Sequence, residues 1–139
     1  MRKFTIVALL VAALTTPAAR AADVTEADYQ KAMKDTLAGM QAVGKSVREG
    51  NGDLSGAVAG AKAIDAALAS IDAFWVARKA QDAVDMNKAS RAAAMAVAAA
   101  AGKNDVAATT DAVKGLQATC KACHDVHREQ LPDKTYRIK

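Results

Sequence analysis

The chain has 139 residues, 52% of them hydrophobic, with 19 Lys and Arg against 15 Asp and Glu. That is enough for one small domain and excludes a multidomain enzyme. Thirty-six residues are Ala and only five are Phe, Trp or Tyr, so the apolar fraction comes from the smallest side chain and the polypeptide alone builds a thin core.

At the N-terminus, Arg2 and Lys3 precede an uncharged apolar run from Phe4 to Leu14, and Ala19-Arg20-Ala21 supplies a small-x-small cleavage signal. Residues 1–21 are read as an export signal cleaved after Ala21, because the uncharged run is shorter than the roughly 20 apolar residues that span a bilayer. The expected product is a periplasmic domain of residues 22–139 with no membrane anchor after cleavage. It carries 16 basic and 15 acidic side chains, a balance that removes the main motive for nucleic-acid binding. Charge is unevenly spread: residues 22–113 hold ten basic and twelve acidic groups, residues 114–139 six and three. The C-terminal end is the basic pole.

No proline falls between Ala18 and Leu131 and good helix formers dominate, which argues for an all-α fold. Thr25 and Asp28 form a capping-box pattern, and Tyr29, Met33, Leu37, Met40, Val43 and Val47 recur at spacings of three and four, the mark of a first amphipathic helix. Glu49-Gly50-Asn51-Gly52-Asp53 stops it, with Asp53 as the cap of a second helix from Leu54. That helix carries Leu54, Val58, Ala61, Ile64 or Asp65, Leu68 and Ile71, and Gly56 and Gly60 form a small-residue ridge suited to close helix packing. A compact domain must turn before Ala101, and the turn is placed at Ser70 to Asp72, where either polar side chain could cap a third helix. The third helix would carry Phe74, Trp75, Arg78, Asp82, Met86, Ala89, Ala93 and Val97. Gly102-Lys103-Asn104 ends it, and Asn104 is the expected cap of a fourth helix with Val106, Thr110, Val113, Leu116, Cys120 and Cys123 on one stripe. Leu131-Pro132-Asp133 closes that helix and leaves a short basic tail. Four helices joined by short loops give an antiparallel four-helix bundle.

The chemistry-bearing motif is Cys120-Lys121-Ala122-Cys123-His124. Positions i, i+3 and i+4 of a helix point the same way, so two thiols and an imidazole can meet one planar ligand. Haem c needs this set: each sulfur adds to a vinyl group as a thioether, and the adjacent imidazole reaches the iron. One covalently held haem near the C-terminal helix would also supply the apolar bulk that this Ala-rich sequence lacks. Three other uses compete for the same residues. A disulfide between Cys120 and Cys123 is disfavoured by helical geometry. A thiol redox pair normally follows a strand and opens a helix, where the helix dipole lowers a thiol pKa. A zinc site of Cys120, Cys123, His124 and His127 would ask four ligands on one rigid helix to surround a tetrahedral ion.

Taken together, residues 22–130 resemble the class II c-type cytochromes, which include cytochrome c prime and cytochrome c-556. The resemblance rests on the Cys-Lys-Ala-Cys-His stretch late in the chain, Arg128 four residues past His124, the segment Lys31-Ala32-Met33-Lys34, and the Phe74-Trp75 pair. It implies a four-helix bundle with His124 as one axial ligand of the haem iron, Met33 as the other, and Arg128 beside the haem. His127 stands where the family has an aromatic residue and is read as haem-flank packing or a propionate neighbour. The implied function is one-electron transfer to redox partner proteins, without bond-making chemistry and so not an enzyme. The alternative within the family is a five-coordinate cytochrome c prime that binds nitric oxide or other small gases, with Met33 only packing over the iron. A homodimer through the first two helices, as in many relatives, would fit Gly39, Gly56 and Gly60.

Overall fold

The computed structural model describes residues 23–139; the expected export segment and its cleavage point after Ala21 lie outside the described residues. Of the described residues, 75% are helical. The elements are α1 (Glu26–Glu49), α2 (Ser55–Ala69), α3 (Asp72–Ala77), α4 (Gln81–Ala101), α5 (Val106–His127), β1 (Arg128–Gln130) and β2 (Tyr136–Ile138). Four long helices thus stand with one six-residue helix between the second and third of them.

The capping box that opens α1 is present: Thr25 Oγ1 accepts the Asp28 N–H at 3.2 Å, and the Thr25 N–H donates to Asp28 Oδ2 at 2.9 Å. The turn after α1 passes through Asn51 and Gly52 at φ of 46° and 91°, and Asp53 Oδ1 accepts the Ser55 N–H at the start of α2. α1 and α2 then pack with almost no side chain between them. A methyl group on Gly60 would lie 2.7 Å from Gly39 O, and one on Gly39 would lie 2.9 Å from Gly60 O and 2.6 Å from Ile64 Cγ1. Gly56 faces Ser46 of α1 in the same way, at 3.2 Å. These three glycines are therefore used inside the chain, and the small-residue argument for a dimer through the first two helices loses its footing.

Three boundaries differ from the sequence expectation. The expected third helix is two helices: the backbone breaks at Arg78–Ala80, with Lys79 at φ 56°, so Phe74 and Trp75 belong to the short α3. Restarting at Gln81 rotates the buried face, which is Ala83, Val84, Asn87, Ser90, Ala94, Val97, Ala98 and Ala101 and shares only Val97 with the expected stripe on α4. The turn at Ser70–Ile71 falls where expected but carries no side-chain cap. Ser70 Oγ donates back to Ala67 O, and Asp72 accepts from Asn87 and Arg91. Asp105 rather than Asn104 caps α5, accepting the Ala108 N–H at 2.9 Å; Asn104, at φ 53°, instead accepts from Leu54 N–H. Finally, α5 stops at His127, and the expected tail is an antiparallel hairpin that pairs Arg128 with Ile138 and Gln130 with Tyr136.

Each long helix packs on the next, α1 on α2, α2 on α4 and α4 on α5, and short connections make these neighbours antiparallel. The fourth seam, between α1 and α5, barely makes contact.

Substituting Gly60→Ala should therefore force the α1 and α2 backbones apart and cost about 1–3 kcal/mol in a thermal or urea melt. Gly115→Ala is the control, because nothing lies within 4 Å of its added methyl and removal of a mid-helix glycine should stabilise by about 0.5–1 kcal/mol.

Candidate functional site

Cys120, Cys123, His124 and His127 occupy the last two turns of α5, on one face, and all four are partly buried. Cys123 is near groups of both neighbouring helices, Tyr29 of α1 and Asp82 of α4, Cys120 packs against the core, and His124 lies about 100° round the axis from Cys123. His127 reaches inward: its side chain is 12% exposed, its ring centroid is 5.1 Å from that of Trp75, and Nε2 lies 3.1 Å from Asp82 Oδ2 of α4. That contact is not aligned as a hydrogen bond, so Nε2 is a buried atom without a hydrogen-bond partner.

On α1, Met33, Leu37 and Met40 fall within one narrow sector of the helix. Met33 and Met40 project within about 20° of each other, whereas Gly39 and Val43, which meet Gly60 of α2, lie roughly 80° to 120° round the axis from Met33. Leu37 is 59% exposed, and Met33 and Met40 are only partly covered. One turn before Met33 stands Tyr29. Tyr29 packs on Phe74 (4.7 Å) and edge-on to Trp75 (5.3 Å), and it stands close enough to Cys123 and Arg128 for their charges to bear on its phenol. The start of α1 therefore lies at the same end of the molecule as the end of α5.

Protonation is set by burial. It pushes both thiols up, and neighbouring Cys120 and Asp82 raise Cys123 further. It pushes His124 down, with Arg128 adding to the effect and Asp125 opposing it. At neutral pH the site holds two protonated thiols and a neutral imidazole, the form that can give a lone pair to a metal. Tyr29 is raised well above the ordinary phenol range, first by burial and then by Cys123.

The competing uses fare differently. Both cysteines are free thiols, raised rather than lowered in pKa, which does not suit a reactive thiol pair. Among the described residues no group of three or more His, Cys, Asp or Glu side chains is disposed to hold a metal ion, because the four zinc candidates diverge along α5. Arg128 keeps its place beside His124 through its N–H, which donates to His124 O. Its guanidinium, however, stacks on Tyr136 at 4.0 Å and is exposed. The sequence reading missed the bracing of His127 by Trp75 and Asp82, and the hairpin. The signal for the hairpin was present in Leu131-Pro132-Asp133-Lys134-Thr135 followed by the alternating Tyr136-Arg137-Ile138. A solvent-open hollow of about 390 Å³ near the start of α1, lined by Asp23, Val24, Asp28, Lys31, Ala32, Asp35 and Ser70, contains none of these groups.

Comparisons with protein-family models, with curated proteins and with solved structures found no match.

The raised phenol of Tyr29 has a stability consequence. A group whose pKa is higher folded than unfolded stabilises fully below its unfolded pKa, near 10, and loses that contribution as pH rises above it. Wild-type stability should therefore fall as pH is taken above 10, and Tyr29→Phe should flatten that limb in melts run from pH 8 to 11.

Proposed function

We propose that the chain is a class II c-type cytochrome that carries single electrons, with one haem c seated in the seam between α1 and α5. The observation that carries this reading is the Cys-x-x-Cys-His turn near the end of α5, close to Tyr29 of a helix, α1, with which α5 makes little other contact. The residues present suit the group. Cys120 and Cys123 are free and one helical turn apart, His124 is neutral and partly buried, and α1 offers the exposed Leu37 and the partly covered Met33 and Met40 as apolar surface. When bound, haem supplies a reversible one-electron couple.

The chain's own residues divide the remaining work. Cys120 and Cys123 would hold the group covalently, and their protonated state limits premature oxidation before attachment. His124 would give its lone pair to the iron from the α5 side. Met33 of α1 would be the second residue to hold the iron, through a soft thioether donor that favours the reduced state. Tyr29, Phe74 and Trp75 exclude water from the end of the seam near His127. Among the described residues, Arg128, Lys134 and Lys139 of the basic end have no carboxylate partner, whereas Lys121 is paired with Asp125 at 2.5 Å and Arg137 with Glu129 at 2.7 Å. An acidic redox partner would be steered to the unpaired cations. Export to the periplasm belongs to the same reading.

The partial packing of Met33 against the core favours one further reading, a five-coordinate site in which the methionine stays packed and the iron binds nitric oxide or another small gas.

The test is a visible absorption spectrum of the purified, exported protein before and after denaturation. Covalent attachment keeps the haem bands with the unfolded chain, and Cys120→Ser with Cys123→Ser should abolish them; a colourless wild-type protein overturns the proposal. Met33→Ala should convert a low-spin spectrum to high-spin and admit carbon monoxide. Met40→Ala should leave the spectrum unchanged and cost about 1–3 kcal/mol. A wild-type protein that is already high-spin and binds carbon monoxide selects the gas-binding reading instead.

A further inference from the structure

The last turn of α5 ends unusually. A helix leaves its final four carbonyls without intrahelical donors, and here the hairpin that follows supplies two of the missing partners. The Arg128 N–H closes the last turn of α5 itself by donating to His124 O, and beyond it the Lys139 N–H donates to His127 O at 2.9 Å and Lys139 Nζ reaches Asp125 O at 3.4 Å. The hairpin is itself braced. Arg128 stacks on Tyr136, Arg137 pairs with Glu129, Asp133 Oδ1 accepts from both Thr135 N–H and Thr135 Oγ1, and Ile138 packs against the core. Its strands are three residues each, too short to persist without the helix beneath them. Hairpin and helix end therefore hold each other.

We propose that residues 128–139 form a clasp on the last turn of α5, and that the Lys139 N–H and the Ile138 side chain are positioning groups for the His124 imidazole. His127 is pinned from inside by Trp75 and from behind by Lys139, three residues beyond His124. Fraying of that turn would let the backbone under His124 move. The clasp follows from the geometry alone, whereas its effect on an iron ligand rests on the haem reading above.

Lys139→Pro tests this with one bond, since proline has no N–H and the preceding Ile138 is already extended, as a residue before proline prefers. Lys139→Ala is the control, because it loses Nζ but keeps the N–H. In hydrogen exchange of the protein as purified, Lys139→Pro should lower protection at residues 124–127 by about tenfold, with Lys139→Ala close to wild type; Ile138→Asp should act in the same direction. Equal protection in wild type and Lys139→Pro overturns the clasp. The positioning role predicts in addition that Lys139→Pro lowers the reduction potential and adds a high-spin component to the spectrum. Loosened exchange with an unchanged potential and spectrum overturns that role while leaving the clasp. If the wild-type protein carries no haem, the haem reading and the role toward iron fail together, and the exchange comparison still decides the clasp.

Discussion

At Gly39 and Gly60 the α1 and α2 backbones come so near that a methyl group on either would strike the other's carbonyl oxygen, and the rest of the packing follows from that approach. Helices built largely of alanine have short reach, so they bury apolar surface only where their axes come close. α4 meets α2 and α5 through Ala83, Ala94, Ala98 and Ala101, with Leu68 and Leu116 as the larger fillers. Three seams therefore close, while α1 and α5 make little contact.

A second constraint acts at the corner where α2 gives way to α3. Arg91 of α4 donates to Asp65 and Asp72 at 2.8 and 2.7 Å, and the buried Asn87 donates to Leu68 O and to Asp72. The ion pairs are about one-third exposed, so each stabilises modestly. Their larger effect is directional, since one guanidinium fixes the position of α3 relative to both α2 and α4. That in turn sets Phe74 and Trp75 against Tyr29 and His127, at the end of the seam where the candidate site lies.

Helices and their faces were legible wherever apolar spacing or a cap spoke locally: the Thr25–Asp28 box, the stop at Glu49–Asp53, and the Cys120–His124 face. The break at Arg78–Ala80 was not, because Lys79 takes a left-handed backbone there without the glycine or asparagine that usually announces one. Asn104 and Asp105 are both good caps, and only the chain's path, which carries Asn104 toward Leu54, decides between them. The hairpin hid behind an expectation of helix, since Arg128-Glu129-Gln130 has ordinary helix formers and becomes a strand only by pairing with Tyr136–Ile138. The bracing of His127 by Trp75 was beyond local pattern altogether, for it depends on how two helices far apart in sequence are aligned.

The uneven closing of the seams also has a mechanical side. α1 with α2 forms one leaf and α4 with α5 the other, and they are joined along the α2–α4 contact as by the spine of a book, with Arg91 stitched across it. The softest deformation of such a molecule is a change in the angle between the leaves. Any body bound by both α1 and α5 acts at the fore-edge, with the longest lever arm about that spine, so a single ligand bond there would stiffen the whole domain rather than one pocket.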